Sequence, residues 1–238
     1  PGTELRAALT GASAQRALQL VASGADHRPI GELVNEHAIV NAIVALMATG
    51  GSTNHTIHWI AVARAAGIVL DWQDMDALSA VVPTLAHVYP NGQADVNHFA
   101  AAGGTALVFA ELLKAGLMHG DIPTIAPGGM ADYCKEPRLD GQRLHWVDGA
   151  RQSADLDVVR PVAAPFEPQG GLRLLDGNLG QGLIKVSAVK PQQRSITAPA
   201  VVLDNPGALA ALHAADALPH DFIAVVRFQG PQANGMPE

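Results

Sequence analysis

Over roughly the first 130 residues, apolar positions recur at helical spacing in runs punctuated by Gly and Pro. Residues 32–48 are apolar on most faces, which predicts a buried helix stopped by Gly50 and Gly51. Another helix is predicted to begin at once. Ser52, Thr53 and Asn54 are favoured N-cap types, Ile57, Ile60, Ala61 and Arg64 follow at helical spacing, and Gly67 would close the element. Ile68, Val69 and Leu70 read as a short buried strand. Asp74 is expected to open a short helix that Pro83 bends or ends, and residues 104–115 a further helix closed by Gly116.

Between 120 and 170 the pattern lapses into six prolines, several glycines and scattered charges, which reads as a connection between domains. After Gly170 and Gly171 come short β-type runs at 172–175, 183–189, 200–203 and 222–228, separated by Asp-Gly-Asn, Lys-Pro and Asn-Pro-Gly turns. One helix, from about 206 to 217, interrupts them. The fold class expected is therefore α/β: a helix-rich front followed by a mixed or barrel-like β unit with an inserted helix.

Composition narrows the function. A chain of 238 residues, 48% hydrophobic, is long enough to bury a core for one large domain or two smaller ones. With 22 acidic against 15 basic side chains, a net charge of -7 and no basic run, nucleic acid is not an expected partner. No apolar stretch reaches the length of a membrane span and no signal-peptide pattern opens the chain, so no membrane partner is expected and the cytoplasm is the default compartment. Cys134, the sole cysteine, leaves no intrachain disulfide and no all-cysteine metal site. The chain starts at Pro1 without a methionine and stops directly after a strand-like run, which reads as a piece of a longer protein.

Three stretches could carry chemistry. Gly-Gly-Ser-Thr-Asn-His, residues 50–55, places two glycines and several polar side chains at a helix start, where unpaired N–H groups and the helix dipole favour an anion. A buried helix-turn-helix with an ordinary Ser or Thr cap would look the same, and the Walker pattern is absent. His55 and His58 lie three apart, without a third ligand spaced nearby. Asp95, Asn97 and His98 precede Gly103 and Gly104 and a further helix; they read either as a turn with its N-cap or as a carboxylate orienting an imidazole. The last stretch, residues 227–238, leaves a strand as a Gly/Pro-rich loop.

Taken together these stretches resemble the dihydroxy-acid and sugar-acid dehydratases, more closely the 6-phosphogluconate dehydratase branch. The resemblance is carried, in family order, by Asn41-Ala-Ile, Ala48-Thr-Gly-Gly-Ser-Thr-Asn, Tyr89-Pro-Asn-Gly-Gln-Ala-Asp-Val-Asn-His-Phe, Ala101-Ala-Gly-Gly, Gly177-Asn-Leu-Gly, Lys185-Val-Ser-Ala-Val and Arg227-Phe-Gln-Gly-Pro-Gln-Ala-Asn-Gly-Met-Pro-Glu. It implies an iron–sulfur cofactor (4Fe-4S rather than 2Fe-2S), a homodimer and a hydro-lyase that removes water from 6-phospho-D-gluconate in the Entner–Doudoroff pathway, the alternatives being a dehydratase of a dihydroxy acid or an unphosphorylated aldonic acid, or an inactive binding fragment. It also implies a division into residues 1–135, the later part of an α/β cluster-binding domain; 136–170, a connection; and 171–238, the first part of a swivelling β-barrel domain. Ser52, Thr53, Asn54, His55, Asn97 and His98 become the expected contacts to a small phosphorylated sugar acid, and Glu238 a possible Mg ligand. Cys134 falls in none of the family's cluster motifs, and the family's proposed base is expected after Glu238.

Overall fold

The computed structural model describes residues 2–230, 233 and 235. Glu238 lies outside the described residues. The chain forms two compact units, one through Ala188 and one from Val189 onward.

The first unit is built on seven helices: α1 (Glu4–Leu20), α2 (Ile30–Leu33), α3 (Glu36–Ala48), α4 (Thr53–Ala65), α5 (Trp72–Val81), α6 (Val96–Ala101) and α7 (Gly104–Lys114). Its core gathers Ile43, Val44 and Met47 of α3, Met75 of α5 and Leu107, Val108 and Leu112 of α7, all buried. Side chains of this size each contribute about 1.5–3 kcal/mol when removed from water, and α3, with seven buried residues, is the central helix. Two antiparallel hairpins complete the unit: β1 (Lys135–Asp140) with β2 (Arg143–Asp148), and β3 (Leu172–Gly177) with β4 (Gly180–Lys185).

Side chains of α5 dock the second hairpin. The Ser79 hydroxyl accepts from Leu172 N at 3.1 Å and Asp76 accepts from Leu174 N at 2.9 Å, while Leu172 itself is buried in the core. Since Leu172 pairs with Lys185 in the register, this docking also fixes where the end of β4 points. Residues 84–87 run between the end of α3 and a later segment: Leu85 N donates to Ala48 O at 2.7 Å, and His87 N to Val158 O at 2.9 Å.

The second unit is a parallel pair, β5 (Ala200–Leu203) and β6 (Ile223–Val226), joined through α8 (Pro206–Ala214). Parallel strands cannot be joined by a tight turn, so the inserted helix is the crossover. Asn205 caps α8 by accepting from Ala208 N, and Pro206 occupies the first turn, where no amide hydrogen is needed.

The α/β class holds, as small sheets beside helices. Among the described residues the strands form three separate two-stranded sheets and no closed barrel. A local hairpin and a single crossover pair supply too few strands to close one. Individual elements also differ from the sequence reading. The helix expected over 32–48 breaks at Asn35, whose side chain caps α3 by accepting from Ala38 N at 2.9 Å. Residues 68–70 form no strand; they meet no partner strand and Val69 is exposed. Asp71 rather than Asp74 is the N-cap of α5, with Asp74 closing a reciprocal capping box. The run at 183–189 divides into the end of β4 and a 3₁₀ turn, Val186–Ala188. The β1–β2 hairpin lies inside the proline-rich stretch read as a connection, turning at Gly141 with φ +56.

Candidate functional site

The Gly-Gly-Ser-Thr segment begins where α3 ends. Gly51 N returns to Leu46 O at 2.8 Å and Gly50 N to Met47 O at 3.1 Å, which caps the helix. Gly50 adopts φ +61, and a Cβ there would overlap the Asn91 carboxamide; a Cβ on Gly51 would overlap Leu46. Both positions therefore admit only glycine without rearrangement. Ser52 is the N-cap of α4, its hydroxyl accepting from Asn54 N at 3.2 Å.

The positive φ turns the Gly50 carbonyl toward two donors from distant parts of the chain. Asn91 Nδ2 donates to it at 3.0 Å and Lys185 Nζ at 2.6 Å. Asn91 sits in the turn after the cis Tyr89-Pro90 bond, held by Asn91 N to Val88 O at 2.9 Å and Tyr89 N to Ala94 O at 2.9 Å. Ser187 Oγ lies 3.4 Å from Asn91 Oδ1.

These groups border a cleft of about 460 Å3. Thr49, Ser52 and Thr53 form one wall, Thr105 of α7 another, and Lys185 supplies the charge. Val88, Pro90 and Phe99 make the apolar part. Thr53 and Thr105 both belong to the first turns of their helices, so two positive helix ends face the same space. Burial pushes the Lys185 ammonium below the ordinary lysine range. A cation short of water, hydroxyl donors and two helix starts in a small-molecule-sized cleft can hold an anionic ligand.

Of the residues singled out in the sequence, Ser52 and Thr53 line this cleft. Asn54 and His55 lie further along the first turn of α4, exposed and outside its lining. Asn97 and His98 are also exposed and outside it, next in sequence to cleft-lining Phe99. They attend to Asp95, the N-cap of α6. Asp95 Oδ1 accepts from Asn97 N at 2.8 Å and His98 N at 3.0 Å, and Asn97 Nδ2 donates to Oδ2 at 3.2 Å. Hydrogen bonds from the His98 backbone first, and from the Asn97 side chain next, hold the Asp95 carboxyl down at about 2. His98 Nδ1 lies 2.8 Å from Asp95 Oδ1 and 3.3 Å from Asp95 N. One nitrogen cannot donate to the first and accept from the second; the shorter contact favours Nδ1–H donating to the carboxylate. The carboxylate and imidazole thus do pair.

Sequence reading missed Lys185 and Thr105 as site residues. Lys185 lies 135 residues from Gly50, and its only signal was its place at the head of the Lys-Val-Ser-Ala-Val motif. Cys134 is half-buried, its thiol 3.9 Å from Met130 O and pushed up by burial, which describes an unreactive thiol.

Comparison with known proteins gives a consistent result. Residues 1–133 match the dihydroxy-acid/6-phosphogluconate dehydratase N-terminal family, and residues 157–238 its C-terminal counterpart. The chain is 52% identical over 238 residues to the phosphogluconate dehydratase of Pseudomonas aeruginosa, covering 100% of this chain and 39% of that protein. It is 48% identical over 238 residues to the phosphogluconate dehydratase of Escherichia coli K12, covering 100% of this chain and 40% of that protein. The dihydroxy-acid dehydratase of Methylibium petroleiphilum is 37% identical over 215 residues, covering 87% of this chain and 35% of that protein. The chain thus spans about two-fifths of the length of its phosphogluconate dehydratase relatives.

Proposed function

The chain belongs to the dihydroxy-acid/6-phosphogluconate dehydratase family, and from that premise we propose that it is part of a phosphogluconate dehydratase. The reaction is loss of water from 6-phospho-D-gluconate: the C2 proton and the C3 hydroxyl leave, and the enol tautomerises to 2-dehydro-3-deoxy-6-phospho-D-gluconate. The identity to phosphogluconate dehydratases extends over the whole chain, and that to the dihydroxy-acid dehydratase is lower and shorter, which supports the phosphorylated substrate.

The observation that carries the reading is the meeting of Lys185 with the Gly50 carbonyl beside Ser52 and Thr53. In this proposal the chain binds and orients. Lys185, the two hydroxyls and the first turn of α4 hold an anionic end of the substrate, and Phe99 and Val88 exclude water from that side. Asn54, His55, Asn97 and His98 are rim groups around the same acid, with Asp95 orienting the His98 ring.

The residues present do not fit an iron–sulfur cluster. A cluster takes several thiolates, and the one thiol here is half-buried, raised by burial and turned to a backbone carbonyl. The 4Fe-4S cluster, the base, any magnesium held by Glu238 and the homodimer contact therefore enter the proposal through family resemblance alone, and no step is derived through them. The same holds for the division into an α/β domain, a connection and the start of a barrel domain. Among the described residues no helix is long and apolar enough to cross a membrane; a cytoplasmic place for the enzyme enters the proposal through the family resemblance, like the cluster.

The test is turnover by the full-length protein of 6-phosphogluconate against gluconate. Preference for the phosphorylated acid is expected; equal or better turnover of gluconate would overturn the substrate assignment.

A further inference from the structure

Away from the cleft, three metal-capable side chains meet on the opposite end of α3. His37 lies in the first turn of that helix, and the rings of His37 and His119 stack with centroids 3.8 Å apart and 3° between planes. The Asp121 carboxylate joins them, so that one ligand atom from each residue lies within 4.8 Å of the others. This is the only such group of three among the described residues.

The backbone beneath the rings is fixed. Asn41, buried one turn after His37, donates from Nδ2 to His119 O at 2.8 Å and accepts from His119 N at 2.7 Å. Met118, immediately before, is buried in the core. A reciprocal amide clamp on residue 119 and an apolar anchor at 118 hold this segment on α3, while His37 and Asp121 stay exposed and His119 half-buried. Two imidazoles and one carboxylate on a held backbone are the donor set of a tetrahedral site whose fourth position is left to water.

We propose that His37, His119 and Asp121 bind a divalent cation of intermediate softness, with Zn2+ as the representative, and that the ion clasps the segment after α7 to the start of α3. Zinc bonds of about 2.0–2.2 Å place ligand atoms well inside the 4.8 Å that bounds their separation here. Parallel rings also present their nitrogens side by side rather than toward one point. Capture of the ion therefore opens the stack by turning the rings about their own side-chain bonds, which the solvent side of both rings allows. The backbone need not move, because Asn41 holds residue 119 through its main chain.

The test is equilibrium dialysis of the full-length protein against Zn2+, with iron measured in parallel. One zinc per chain beyond that bound by the H37A/H119A double variant is expected, with affinity at least tenfold weaker in the variant. Asp121→Asn, which keeps the shape and removes the charge, should also weaken binding. His220→Ala, which removes an exposed histidine beside Asp221, should leave it unchanged. Zinc is further expected to raise the Tm of the wild type and not that of the double variant. The same zinc affinity and stoichiometry in wild type and double variant would overturn the proposal, as would an equal loss in His220→Ala. Should the double variant fail to fold, unchanged zinc affinity in Asp121→Asn would overturn it equally.

Discussion

Two segments of the first unit share one arrangement in sequence, polar side chains and a Gly-Gly pair at a helix start, and differ in what the fold does with it. At residues 50–53 the glycines are gripped from afar, with Asn91 and Lys185 both on the Gly50 carbonyl, and the Ser52 and Thr53 side chains border a cleft. At residues 95–104 the polar groups precede the glycines and are consumed locally. Asn97 and His98 satisfy Asp95 within one exposed turn, outside that cleft. The lesson is that a capping pattern becomes a binding wall only where a distant residue brings charge to it, and here that residue is Lys185.

The largest expected effect breaks the first segment. Gly50→Ala forces a Cβ into the Asn91 carboxamide at a positive φ, and is expected to cost about 2–3 kcal/mol of stability, read as a lowered denaturation midpoint. The equivalent loss is not expected at Gly104, where a Cβ would meet nothing closer than Phe99 O at 3.9 Å and φ +58 is the only strain. Next, Ser52→Ala with Thr53→Ala in the full-length enzyme should raise the KM for 6-phosphogluconate about tenfold or more, since hydrogen bonds to charged groups are each worth about 1.5–3 kcal/mol. Unchanged KM and kcat would remove both from the site.

The two segments should also separate by pH. Lys185 has its pKa lowered by burial, so its charge disappears earlier than usual as pH rises, and affinity for the anion should fall in the alkaline range below 10.5. Asp95 behaves oppositely: with its folded pKa at about 2 against an ordinary 3.8, its contribution to stability is fully present above 3.8 and lost as pH falls through about 2. Acid titration of the His98 amide by NMR should report that loss, and Asp95→Asn should abolish it. The smallest effect is expected from His98→Ala: as an exposed rim group outside the cleft lining it should lower kcat/KM by no more than about twofold. A larger drop would give the second segment a direct part in the reaction.

Much of this contrast was legible in the chain. The start of α4 follows from Ser52, because cap chemistry is local and acts through the next three residues, and the start of α7 from the Gly103-Gly104 break, which has no capping side chain. The Asp95–His98 pair was legible for the same reason. Errors arose where one local signal competed with another. Asn35 interrupts an apolar run to cap α3, and Asp71 and Asp74 share a box in which either could have been taken for the cap. The strand expected at 68–70 had the right residue types and no partner, which composition does not reveal. The β1–β2 hairpin carried a readable Asp-Gly signal at residues 140–141 that the surrounding prolines obscured. Lys185 was the least legible: only the docking of β3 on α5, through Ser79 and Asp76, brings the end of β4 to the Gly50 carbonyl.

That dependence points to the decisive experiment, equilibrium titration of 6-phosphogluconate into the full-length protein and its Lys185→Met variant. Removing the ammonium from the cleft is expected to raise Kd about tenfold or more, as for loss of a charge-assisted hydrogen bond, with Tm little changed. An unchanged Kd in a folded variant would contradict the assignment of the Gly50–Lys185 cleft as the place where the acid is held.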